Sequence, residues 1–225
     1  MSDQSKPRRP IWRWVNMAFA LAGLLFGSII AAPQLLAFPY QVQMGDTRVY
    51  SESPLSGAAL RPVLARANRL LTPSPLYRGP VGTRIFLTEG GWRWRVLALN
   101  SAGSVGFTRP LSDLVSDAVI IGPSNVLRDQ TNSVRSLSGT IAHERTHIMV
   151  RRHLGVLRGV MLPAWISEGY ADHVAGEPDA GDPDLARWRA AQPDHPVFFY
   201  IEARQRVEAA LAANGDDVEA LLHSE

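Results

Sequence analysis

The longest interruption of polar spacing comes first: from Val15 to Ala37 the chain runs 23 positions without a charged residue. Coiled as a helix this stretch would reach about 35 Å, enough to cross a bilayer. Lys6, Arg8, Arg9 and Arg13 precede it, and Trp12, Trp14, Phe38 and Tyr40 flank it where interfacial aromatics belong. The pattern predicts a transmembrane signal anchor over 15–38, a basic cytoplasmic segment over 1–14 and a body over 39–225. It implies a single-pass protein of the cell inner membrane with its C-terminal domain periplasmic or extracellular. The competing reading is a signal peptide cleaved after "LLA" (35–37). The run is longer than the ~7–15 apolar residues of a signal core, and either reading exports the body.

Beyond the anchor, "YQVQMGDTRVYSESP" alternates as a strand ending at a Ser/Pro turn. Leu60, Val63, Leu64, Ala67, Leu70 and Leu71 then recur at helical spacing, opened by Ser56 and Gly57 and closed by Pro73 and Pro75. "GTRIFLTE" (82–89) and "WRWRVLALN" (92–100), separated by a Gly pair, read as two strands of a hairpin or meander, and 116–125 as a short buried strand closed by Gly-Pro. A helix is expected from Ser138 to about Leu154, where Gly155 ends it, and a second from Pro163 to about Gly176. The Pro/Asp-rich 176–196 reads as a surface excursion with one short helix. A last amphipathic helix covers about 198–213, with a further turn or two in "DDVEALLHS". The fold class expected is α+β: a small mixed sheet packed against two successive helices, preceded by one transmembrane helix.

Composition narrows the chemistry. Of 23 basic and 21 acidic residues, four and one fall within 1–38, leaving 19 and 20 for the body. A nearly neutral body offers no electrostatic footprint for nucleic acid, and no nucleic-acid partner is expected. The chain has no cysteine, so thiolate catalysis and Cys-ligated metal are excluded and any metal site must use histidine and carboxylate.

The six histidines are not evenly spread, and four lie in the stretch from Thr140 to His173. On a helix, His143 and His147 are four residues apart, about 40° around the axis, and face one ion from one side. Glu144, about 100° from His143, points beside that ion, where a water would stand; there it could take the water's proton while zinc polarises a carbonyl. A catalytic zinc needs a third protein ligand. His153 has the spacing of HExxHxxGxxH, but Val150 occupies the glycine position and resists the left-handed turn that brings such a histidine back. On a continuing helix His153 is a surface residue beside Arg151 and Arg152. Glu168, in "PAWISEGYAD", is the other candidate, with Gly155, Gly159 and Pro163 available to reverse the chain.

"HERTH" followed at this distance by "WISEGYAD" resembles the gluzincin metallopeptidases, the group with aminopeptidase-N-like and thermolysin-like members, and in particular their small peptidase MA-like relatives. The resemblance covers about 35 residues. It implies that His143, His147 and Glu168 bind Zn2+, that Glu144 is the general base, and that Asp172 supports a ligand histidine through its free N–H. Tyr170 is implied to pack, and His173 to face away. Tyr200 and His195 are candidates for the donor to the oxyanion. The expected function is a membrane-anchored zinc peptidase acting on peptide or protein substrates through a zinc-bound water. The alternative is a zinc-stabilised, non-catalytic periplasmic binding module. The resemblance does not extend to the additional domains of the large gluzincins and implies no substrate.

Overall fold

The computed structural model describes residues 11–79, 82–101, 104–113, 115, 117–122, 135–177, 185 and 189–224. The basic flank ahead of Ile11, residues 123–125 of the expected Gly-Pro closure, and residues 178–184 and 186–188 of the 176–196 excursion lie outside the described residues. Helix α1, Ile11–Ala31, is long and apolar enough to cross a membrane by length and composition, a property it shares with signal sequences. Its bounds differ from the uncharged run. It starts directly after Pro10 and stops before Pro33, whose ring nitrogen has no hydrogen to continue the ladder. Pro33–Leu36 tightens into a 3-10 turn instead, and Leu36 is buried in the core of the body with Tyr50, Phe86 and Trp94. Pro33 and Leu36, late in the apolar run, are therefore buried outside the helix, while Leu35 stays exposed.

The body is a five-stranded mixed sheet of order β1-β2-β3-β5-β4, with helices on both faces. β1 (Tyr40–Met44) and β2 (Thr47–Ser51) form an antiparallel hairpin, where the sequence suggested one continuous strand. The chain reverses at Gly45, whose φ of 57° is open to glycine at no steric cost. β3 (Thr83–Leu87) runs parallel to β2 and to β5 (Asp117–Ile121), and β4 (Gly106–Thr108) closes the far edge antiparallel to β5. Every position of β3 and β5 is buried, as expected for strands covered on both faces.

Alternate strand residues divide between two cores. Tyr50, Phe86, Ala118 and Ile120 turn to one face, where Tyr50 and Phe86 stack at 4.8 Å and α3 (Trp92–Ala98) lays down Trp94, Leu97 and Ala98. This helix corrects the expected second strand at 92–100. Trp92, Trp94 and Val96 alternate as in a strand, yet Trp94, Leu97 and Ala98 also fit i, i+3, i+4, and a single apolar face already waiting on the sheet selects the helix. Val49, Ile85, Leu87, Val119 and Ile121 face the other way, against α2 (Gly57–Leu71) and α5 (Leu137–Leu154). Ser56 caps α2 through its hydroxyl. A third layer, α7 (Ala164–Ala175), α8 (Val197–Asn214) and α9 (Val218–Leu222), packs on α5 through Val150, Ile166, Tyr170, Val207 and Leu211. Two short helices, α4 (Pro110–Asp113) and α6 (Val156–Met161), and a 3-10 turn, Leu99–Ser101, lie between these elements.

Candidate metal centre

Two features bring α5 and α7 side by side. Gly155, at φ 83°, ends α5 in a conformation that favours glycine, and α6 carries the chain to Pro163, which starts α7. Gly169 then lets α7 settle on α8, since a Cβ there would overlap the Ala203 backbone and come 2.8 Å from Val207 Cγ2. The two helices run antiparallel in a readable register. Ser167 meets His147, Asp172 meets His143, and Glu177, just beyond α7, accepts from the backbone N–H of Ser136 at the start of α5 (2.6 Å). Ser136 itself caps α5, its hydroxyl accepting from Gly139 N at 3.0 Å.

This register drives three donor atoms to one point. His143 Nε2 and His147 Nε2 are 3.1 Å apart, and Glu168 Oε2 lies 3.2 Å from the first and 3.5 Å from the second. The three residues form a group that could hold a metal ion. A tetrahedral ion with bonds of about 2.0–2.1 Å places its ligand atoms about 3.3–3.4 Å apart, close to all three edges of this triangle. His153 is elsewhere: its Nε2 pairs with Glu219 at 2.5 Å.

Behind the triangle, the ligand atoms are held from the rear. Asp172, with no exposed surface, accepts from His143 Nδ1 at 2.5 Å, which turns Nε2 to the centre. Arg135 donates to the other oxygen of Asp172 at 2.6 Å and lays its guanidinium 5.0 Å over the Tyr200 ring. Ser167 Oγ stands 3.3 Å from His147 Nδ1. Charge follows the same plan. Burial and Arg135 disfavour a proton on His143, but Asp172 and Glu168 outweigh them and raise its pKa to about 9. Burial also opposes charge on Glu168, yet His147 and His143 hold it well below the usual carboxylate range.

Glu144 stays outside the triangle. It is buried, and that burial raises its pKa against the pull of His143 and His147. It faces a cleft of about 290 Å³ shared with His143, His147, Glu168, Ser167 and Tyr200, whose far wall is β4. A Cβ on Gly106 of β4 would fall 3.0 Å from Thr140 Cγ2 and 3.4 Å from Glu144 Oε1, so the edge strand passes directly over the glutamate. Tyr200 lines the same cleft, its ring 6.3 Å from that of His143, and burial beside Glu168 pushes its phenol up to about 12.

The structure thus brings together His143, Glu144, His147, Glu168, Asp172 and Tyr200. His195 is not among the residues lining the cleft; its Nδ1 accepts from Val197 N at the start of α8. His173 is exposed beside Glu208, and Tyr170 is buried with its hydroxyl on Ser74, both as expected. Sequence reasoning missed Arg135, which carries no local signal, and Ser167, whose neighbour Glu168 marks it only once the helix pairing is known. Comparison of the chain with protein-family models, curated proteins and solved structures finds no match.

Proposed function

We propose that the protein is a zinc-dependent peptidase of gluzincin type, anchored by α1 with its body outside the cytoplasm. The observation that carries the reading is the triangle of His143 Nε2, His147 Nε2 and Glu168 Oε2 with a buried carboxylate, Glu144, beside it. Two imidazoles and one carboxylate suit zinc, and their spacing suits its tetrahedral bonds. Zinc, when bound there, polarises a substrate carbonyl and makes water acidic enough to attack near neutral pH.

The chain's own groups do the rest. His143, His147 and Glu168 hold the ion, Asp172 fixes the His143 ring, and Ser167 approaches the free nitrogen of His147. An extended peptide fits between the outer edge of β4 and α7, its backbone aligned by the strand. Glu144 takes the proton from the attacking water as the C–O bond forms, then gives it to the amine nitrogen as the C–N bond breaks. The raised pKa of Glu144 suits a group that must both accept and release that proton. Tyr200, protonated over the working range, donates to the developing oxyanion.

The test uses the full-length chain in detergent. Glu144→Gln keeps the shape and the metal but loses the base, so hydrolysis of a mixed peptide library should fall by ~10²–10⁴. Zinc content equal to wild type with that loss supports the peptidase. A wild type that holds zinc yet cleaves nothing the variant spares would replace it with a zinc-stabilised binding module.

A further inference from the structure

Among the described residues of the body, six of the ten large apolar side chains left exposed lie on two short helices, α4 and α6, and the turn after α4. Helix α6 exposes Val156, Leu157, Val160 and Met161, with Leu157 76% and Met161 72% accessible, and α4 with its following turn exposes Leu111 and Val115. The two patches are neighbours across one side chain. Arg151 of α5 is pressed on one side against Gly159 of α6, where a Cβ would fall 2.8 Å from its Cγ. On the other side its guanidinium donates to Asp113 of α4 at 2.7 Å and to Thr108 of β4 at 2.8 Å. α4 in turn packs against α1, and Arg84 ties them by donating to Ala31 O at 3.1 Å and Ser112 O at 3.4 Å. The end of α1, α4 and α6 are therefore neighbours in the fold, with the exposed apolar side chains of α4 and α6 on either side of Arg151. Val160 and Pro110, one from each patch, also line the cleft that holds Glu144.

Exposed apolar side chains grouped on neighbouring elements mark a contact that water alone does not satisfy. We infer that the α4–α6 edge rests on the surface of the bilayer that α1 enters, with Leu157, Val160 and Met161 turned to the acyl chains, so that the cleft opens at the membrane surface. The occupant is lipid rather than a second protein because α4 packs against the end of a helix of membrane-spanning length and composition. The arrangement has the form of a short interfacial helix, apolar on one side and carrying the exposed Arg158 to meet lipid phosphate. A substrate reaching Glu144 would then be a polypeptide segment lying at the bilayer surface. The inference rests on α1 remaining in the membrane.

The chain contains no cysteine, so single labels can be placed cleanly. Leu157→Cys, Met161→Cys, Phe19→Cys in α1 and Ala213→Cys at the exposed end of α8 would each carry one environment-sensitive fluorophore on the full-length protein. Each is reconstituted into phosphatidylethanolamine/phosphatidylglycerol vesicles with and without brominated acyl chains. Brominated lipid should cut emission at 157 and 161 by roughly half, as for a group within 5–10 Å of the headgroup boundary, and likewise at 19, while 213 stays unchanged. Labels at 157 and 161 as unquenched as 213, with 19 quenched, overturn the inference and leave the anchor standing; quenching replaced by protein-concentration-dependent shifts at 157 and 161 overturns it in favour of a second copy. A label at 19 that brominated lipid does not reach overturns the anchor and the inference together.

Discussion

Around the end of α1, Arg84 and Arg93 point at oxygens: Arg84 at Ala31 O and Gln34 Oε1 (2.7 Å), Arg93 at the carbonyls of Leu36 and Ala37, both at 2.9 Å. At the candidate metal centre the balance is reversed, because two imidazole nitrogens and a carboxylate oxygen crowd within 3.5 Å while Arg135 stands behind them, donating to Asp172 and 2.8 Å from His143 Nδ1. The first region brings cations to carbonyl oxygens that a helix end leaves without partners, and needs nothing from solution. The second gathers lone pairs and asks for a positive charge. The raised pKa of His143 reflects the same demand, met by a proton where a metal ion would compete for the site. Burial of charge thus builds a permanent collar in one place and a conditional site in the other.

The largest way to break this contrast is at the triangle itself. Glu168→Ala should abolish stoichiometric metal binding by the full-length chain, measured by elemental analysis, while His153→Ala leaves it intact; the opposite pattern would move the third ligand to His153. Removing the support behind the ligand should matter less. Asp172→Ala is expected to weaken metal binding about 10- to 100-fold in competition with a chromophoric chelator, and an unchanged affinity would detach Asp172 from the centre.

The collar should answer to different measurements. Arg84→Ala removes the donor for Gln34 and Ala31 O, and should lower unfolding stability by about 1–3 kcal/mol with the metal-to-chain ratio unchanged. Loss of metal from this variant would mean that the two regions are coupled. The smallest effect sharpens the baseline: Ser56→Ala deletes an exposed cap on α2 and should cost about 0.5–1 kcal/mol in denaturant unfolding without touching either region.

Much of this was legible in local pattern. Ser56, Gly155, Pro163 and Gly176 mark helix ends that the structure reproduces within a residue or two, and the i, i+4 pair His143/His147 fixes one face of α5 by spacing alone. The illegible parts are those decided by the rest of the fold. Residues 92–98 carry both periods, and only the packing on Phe86 and Tyr50 selects the helix. Residues 40–51 alternate straight through their turn, and β4 has three residues, too few to show a period. Arg135 stands 37 residues from Asp172, so no local signal could join them. Tyr200 could be named as a candidate, but only the approach of α8 to α5 separates it from His195.

Ser167, Glu168 and Asp172 sit on one helix, and Gly169 among them seats that helix on α8. Everything α7 offers to α5 therefore shares one backbone, and the seat of α7 on α8 places all of it at once. A shift of α7 would carry Glu168, Asp172 and Ser167 away together, while His143 and His147 stayed side by side on α5. The site is in this sense made of two halves, a histidine pair carried by one helix and a carboxylate with both rear supports carried by the other.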